Sequence, residues 1–167
     1  MSEDIKVRVL GPDDAVAARD LRLESLRLFP RAFGNAWEEE AGQPLSFWAD
    51  RLKGPAHWLC AEIDRALAGM AVVSLNSKMK LSHNADIGAV YVREQFHRRG
   101  VADALMQSVM EYLETRVMYA TLNVSADNVA AQKLYARFGF AVCGQLESEL
   151  NVDGSFIDEL MMRKRFF

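Results

Sequence analysis

The chain is poor in the residues that build metal and redox sites. Its 167 residues include two cysteines, Cys60 and Cys143, far apart and each inside an apolar, strand-like stretch. They form no Cys-x-x-Cys pair, and none of the three histidines stands at metal-ligand spacing from them. No metal site is expected, and both thiols read as small buried side chains. Charge of one sign is not in excess either. A net charge of −3 gives no global pull toward nucleic acid or an anionic membrane. The longest apolar run, Ala66 to Leu75, falls far short of the ~20 residues of a membrane helix. The acidic start Met1-Ser2-Glu3-Asp4 has no apolar segment typical of a signal peptide, so the chain reads as cytoplasmic. There is no repeat, low-complexity tract or linker, which leaves one domain over residues 1–167.

What is present is an alternating pattern. Ile5, Val7 and Val9 alternate with Lys6 and Arg8 as a half-buried strand. Gly11-Pro12-Asp13-Asp14 opens a helix that runs to about Phe29 and stops at Pro30. A second helical region, 32–53, is broken by Gly42-Gln43-Pro44 and restarts near Leu45. Trp58 to Ile63 and Ala66 to Asn76 form a hairpin turning at Asp64-Arg65. After a polar loop, Asp86 to Val92 is apolar on both faces and is predicted to be a central strand. Val101, Ala104, Leu105, Val109, Tyr112 and Leu113 then recur at helical spacing. A strand over 117–124 follows, and then a helix carrying Ala131, Leu134, Tyr135 and Phe138 on one stripe. Asp127 can cap that helix, and Gly139 suits its C′ position. Phe140 to Gln145 and Phe156 to Lys164 are the last strands, with Asp153-Gly154 as a hairpin turn. The simplest architecture is α/β (α+β): a mixed, mostly antiparallel twisted sheet of six to seven strands flanked by about four helices.

The junction of strand, loop and helix at residues 90–102 carries the chemistry. Gly100 has no Cβ and lets backbone amides approach a ligand. The following helix aims unpaired N–H groups and its positive dipole end at the loop. Arg98 and Arg99 add charge there. Two solvated cations at a helix start oppose the dipole, and an anionic ligand removes that conflict.

The segment His97-Arg98-Arg99-Gly100-Val101-Ala102 resembles the acyl-CoA pyrophosphate loop of the GNAT superfamily of N-acetyltransferases, Gln/Arg-x-x-Gly-x-Gly/Ala. About 26 residues on, Asn128 to Phe140 matches that family's second signature, Asn-x-x-Ala-x-x-Leu-Tyr-x-x-x-Gly-Phe, at every fixed position. The order of strands and helices is similar to the GNAT fold over nearly the whole chain. The resemblance implies acetyl-CoA (coenzyme A) as co-substrate and no metal. The amides of Arg98, Arg99, Gly100, Val101 and Ala102 would hold the pyrophosphate, with Gly100 and Ala102 small to admit it. His97 takes the place of the family's Gln or Arg, and its own role stays open. Val90, Tyr91 and Val92 would pair by main chain with the pantetheine arm and acetyl group, on a strand that splays from its parallel neighbour. They are equally suited to plain core strand. Asn128 can cap its helix, and its family counterpart also binds the cofactor.

Tyr135 is the expected proton donor to the leaving sulfur. A thiol titrates near ~8.5 and a phenol about 10, so the phenol holds its proton at neutral pH. The general base is less defined. Asn123 stands where some members that acetylate protein N-termini carry a Glu, and Asn cannot take a proton. Asp86 is a candidate, directly or through water, although a strand-end carboxylate serves as well to pair a cation. Glu38, Glu39 and Glu40 suit recognition of a cationic amine or a solvated helix face. His57 and His83 have no partner in the sequence.

Two functions follow. One is an acetyl-CoA-dependent N-acetyltransferase using direct amine attack, with polyamines, amino acids, antibiotics or protein amines as acceptors. The other is a non-catalytic acyl-CoA-binding sensor. The acceptor pocket would lie between the first two helices and the final hairpin, where Phe33, Trp37, Phe47 and Trp48 either line it or belong to the core. A homodimer fits the family.

Overall fold

The computed structural model describes residues 4–167. The acidic start of the sequence falls on residues 1–3, outside the described residues, and on Asp4. Among the described residues seven strands form one sheet: β1 (Lys6–Val9), β2 (Ala56–Ile63), β3 (Ala66–Leu75), β4 (Asn84–Val92), β5 (Tyr119–Ser125), β6 (Ala141–Val152) and β7 (Ser155–Arg165). Their order is β1-β2-β3-β4-β5-β7-β6. Every neighbouring pair is antiparallel except β4 with β5. Five helices accompany it: α1 (Ala15–Leu28), α2 (Trp37–Ala41), α3 (Leu45–Lys53), α4 (Val101–Leu113) and α5 (Val129–Arg137). This is the mixed, mostly antiparallel α/β architecture expected, with β4 at its centre. The additional helix is α2, a short piece of the broken 32–53 region.

Local chemistry explains the turns. Asp64 and Arg65 both take positive φ, 50° and 66°, as do Asp153 and Gly154 at 51° and 83°. That twist suits two-residue hairpins. Pro30 ends α1 and starts a 3-10 turn at Pro30–Ala32. Asn128, and not Asp127, caps α5. Its side chain accepts from the Ala131 amide at 3.2 Å. Asp127 is drawn instead to Arg31 at 2.9 Å.

The sheet separates two apolar layers. On one face α4 and α5 set Leu105, Met106, Val109 and Leu134 against Ile63, Ile87 and Leu122. On the other, Leu21 of α1 and Trp48 of α3 pack on Trp58, Met70 and Tyr91. A buried ion pair, Arg22 with Glu40 at 3.2 Å, ties α1 to α2. Cys60 is buried as expected, but Cys143 is exposed. It lies on β6, an edge strand that runs to Val152, well beyond the predicted end, with register shifts at 142/144 and 146/150.

One feature positions the site. The parallel ladder between β4 and β5 has rungs at Asn84↔Tyr119, Ala85↔Ala120 and Asp86↔Thr121, and goes no further. β4 continues to Val92 and β5 to Ser125 without pairing each other. A bulge sharpens the divergence: β3 pairs Val72 with Gly88 and Met70 with Tyr91, so Ala89 and Val90 oppose Ala71 alone. Ala89 has φ 51°. The extra residue turns the end of β4 away from β5.

Candidate active site

The fork opens into a cavity of about 550 Å³. Val90, Tyr91 and Val92 form one wall, and Asn123, Val124 and Ser125 the other. The connection after α1, from Leu28 to Phe33, passes over it. This connection is anchored at both ends of the opening. The Ser125 hydroxyl donates to the Arg31 carbonyl, and the Arg31 guanidinium donates to Asp127 at 2.9 Å and to Ser155 at 3.1 Å. Phe29 leans on Tyr91 with ring centroids 5.8 Å apart.

Asn128, Ala131 and Tyr135 of α5 line the same cavity. Tyr135 is held by the helical stripe that also buries Leu134, and its ring meets Phe140 edge-on at 6.3 Å. Burial pushes the phenol up to about 12.

A second cavity, about 450 Å³, adjoins the first and shares Val92, His97, Ala102, Ala131 and Leu134 with it. Arg98, Gly100 and Val101 face it. The loop here is left-handed at Arg98 (φ 60°) and at Gly100 (φ 84°), which is the N-cap of α4. The first intrahelical bond runs from the Ala104 amide to the Gly100 carbonyl at 3.0 Å. The amides of Val101, Ala102 and Asp103 therefore have no helical acceptor. Small residues, unpaired amides and a positive helix end make this a cradle for an anionic group.

His97 has a defined place in it. Its Nε2–H donates to the Val92 carbonyl at 2.8 Å, tying the loop to the last residue of β4. Arg99 lies over the Phe96 ring, 4.9 Å from its centroid, and reaches the Gln95 carbonyl.

Val90, Tyr91, Val92, His97, Arg98, Gly100, Val101, Ala102, Asn128 and Tyr135 thus border these two adjoining cavities. Asp86 does not. It is exposed at the last paired rung before the fork, opposite Thr121. The three glutamates of α2 separate. Glu40 is buried against Arg22 and Arg51. Glu39 accepts from the Ala36 amide at 2.8 Å. Glu38 lines a further cavity of about 460 Å³ with Leu26, Phe33, Trp37, Glu149 and Leu150. That cavity lies where α1 and α2 approach the β6–β7 hairpin, and it shares Pro30 and Phe33 with the first. Phe47 and Trp48 belong to the apolar layer. His57 stacks on Tyr112 at 4.1 Å, and His83 meets Asn84 at 3.2 Å.

One carboxylate was not singled out by sequence. Glu159 of β7 is 7 % exposed, with the Asn123 side chain close enough to favour its charged form. Burial foremost, then the nearby Glu149, raises its pKa above the usual carboxylate value. Its neighbours in sequence, Asp158 and Leu160, give no sign of this. Only its pairing with Ser125 brings it beside the fork.

Among the described residues no helix is long and apolar enough to cross a membrane, and no cluster of three or more His, Cys, Asp or Glu is placed to hold a metal.

The sequence pattern of the acetyltransferase (GNAT) family matches residues 22–140. The L-amino acid N-acetyltransferase AaaT of Escherichia coli (strain K12) is 31% identical over 121 residues, 70% of this chain and 74% of that protein. The fold is shared with an acetyltransferase of the GNAT family from Streptococcus pneumoniae. The TM-score is 0.86 at 20% identity, over 97% of this chain and 99% of that one. It is shared too with yncA of Salmonella typhimurium, solved with its cofactor acetyl-CoA, at TM-score 0.81 and 16% identity over 98% and 95% of the two chains.

Proposed function

The chain belongs to the acetyltransferase (GNAT) family, and from this we propose that it moves an acetyl group from acetyl-CoA to the primary amine of a small molecule or peptide, by direct attack. The forked cavity carries this reading: unpaired main chain on β4 leads to the cradle at Gly100, with Tyr135 lining the same space.

Bound acetyl-CoA supplies an acetyl group activated as a thioester. The amides of Val101 and Ala102 suit its pyrophosphate, and Arg98 adds positive charge. The edge of Val90 to Val92 that β5 leaves unpaired, apart from the Val92 carbonyl held by His97, suits a ligand that hydrogen-bonds like a strand. Asn128 is engaged by its own helix through Ala131, so it contributes chiefly by fixing the start of α5. Tyr135 is the donor to sulfur. A phenol near 12 is a weaker acid than a thiol near ~8.5, so its main service is a hydrogen bond to the departing thiolate. Holding amine and thioester together supplies much of the remaining rate.

The relative named for L-amino acids makes free L-amino acids the first acceptors to test. With acetyl-CoA and a panel of amino acids, polyamines and peptides, thiol release should accompany acetylation of at least one amine, and Tyr135→Phe should slow it about 100-fold. Binding of acetyl-CoA without turnover on any amine would favour an acyl-CoA sensor instead.

A further inference from the structure

We propose that Glu159 receives the ammonium group of the acceptor and takes its proton, a role that rests on the acetyltransferase reading. Glu40 and Glu159 are the two buried carboxylates among the described residues. Glu40 is matched by Arg22 and Arg51. Glu159 has no cationic partner among the described residues. The polar neighbour that favours its charged form is the neutral Asn123. A buried carboxylate without a counter-charge is costly, and structures keep one where a ligand or a reaction needs it.

Its position suits an acceptor amine. Ser125↔Glu159 and Asn123↔Met161 are rungs of β5 and β7 two residues apart, with Val124↔Leu160 between them, so Asn123, Ser125 and Glu159 share one face of the sheet. Asn123 and Ser125 line the fork together with Tyr135. Glu149, whose charge bears on Glu159, lines the cavity between α1, α2 and the β6–β7 hairpin. Glu159 lines neither cavity itself, but its rung partner Ser125 lines the fork and its neighbour Glu149 lines the space left for an acceptor. On this reading the amine reaches the carboxylate from the hairpin side.

The step balances. The ammonium gives one proton to the Glu159 carboxylate, which passes it to solvent. The freed nitrogen lone pair forms a bond to the thioester carbon, and the carbon–sulfur bond breaks with its electrons on sulfur. The second nitrogen proton neutralises that sulfur, leaving an amide and a thiol. Of the charged groups, Glu149 on β6 acts on Glu159; Arg31, engaged with Asp127 and Ser155, stands over its rung partner Ser125, and Glu38 lines the same cavity as Glu149. Tyr119 is the titratable group of β5, six rungs from Glu159's own.

The test is the pH profile of kcat for Glu159→Gln with the best amine found for the native enzyme. Glutamine keeps the shape and an oxygen beside Asn123. The expected result is a loss of about 100-fold near neutral pH that shrinks as pH rises past the acceptor's own pKa. Affinity for CoA and melting temperature should stay close to native. A native-like rate, or the same loss at every pH, overturns the proposal. If Glu159→Gln melts early, Glu159→Asp decides: a slower enzyme keeping the native pH profile supports the base, and a shifted profile overturns it. A native protein inert on every amine ends the acetyltransferase reading and the base with it. An active native enzyme with a pH-independent defect in the variant ends the base alone.

Discussion

A Cβ placed on Gly69 of β3 would stand 2.5 Å from the carbonyl oxygen of Tyr91 on β4. It would also lie 3.2 Å from Val92 Cα and from Leu105 Cδ1 of α4. Glycine here lets β3 come close to β4 just past the bulge, and so helps set the wall of the fork. Gly69→Ala should cost about 1–3 kcal/mol, since the crowded atoms are mostly backbone. For a chain of this size that lowers the melting temperature by about 2–4 °C per kcal/mol. Thermal melting alongside CoA titration checks it. A variant with native stability and native affinity would show that the wall has slack.

Ala102 borders both halves of the site, in the first turn of α4. Ala102→Glu puts an anion where the helix dipole welcomes one, by about 0.3–1 kcal/mol. It also puts an anion where the pyrophosphate is proposed to sit. The fold should be as stable as native or slightly more so, while affinity for CoA drops at least about tenfold, or ~1.4 kcal/mol. Calorimetry on both properties separates the two effects. Unchanged CoA affinity would remove the cradle from the binding site.

The phenol of Tyr135, pushed up to about 12 by burial, stays protonated through the usable pH range. No fall in kcat between pH 7 and about 10 should arise from its ionisation. Rate profiles of native enzyme and Tyr135→Phe should therefore have the same shape at different heights. A basic limb in this interval that vanishes in Tyr135→Phe would contradict the placement.

His57 stacks on Tyr112, and burial foremost, with Arg116 adding repulsion, holds its imidazole below its ordinary pKa of 6.5. The unfolded chain then binds that proton more readily than the folded one. The neutral ring's share of stability is complete above about pH 6.5 and is lost as pH falls from there through the depressed value. Urea unfolding of His57→Phe should show a flatter decline of stability over this acid interval. An unaltered slope would place the titration elsewhere.

Much of the fold could be read locally. The pairs Asp64-Arg65 and Asp153-Gly154 mark hairpins because few residue pairs accept two successive positive φ angles. Gly100 and the stripe through Leu134 and Tyr135 mark the site because helix periodicity and a needed close approach leave traces in sequence. Long-range consequences leave none. Cys143 sits in an apolar run yet is exposed, since β6 is an edge strand of the sheet formed by the described residues. Adjacent Asp127 and Asn128 are both good caps, and Arg31, distant in sequence, decides between them. The bulge at Ala89 depends on what β3 presents opposite it. Glu159 looks like any outward-facing strand residue until β7 is laid beside β5.

The fork has a consequence for how this protein can vary. Where β4 parts from β5, the atoms proposed to meet the donor are peptide groups, which every residue but proline carries alike. A ligand docking there would complete the sheet as a borrowed strand, indifferent to which side chains flank it. Val90 and Val92 are thus open to exchange among extended-chain formers with little effect on the donor half of the site, whereas a proline there would delete one of its contacts outright.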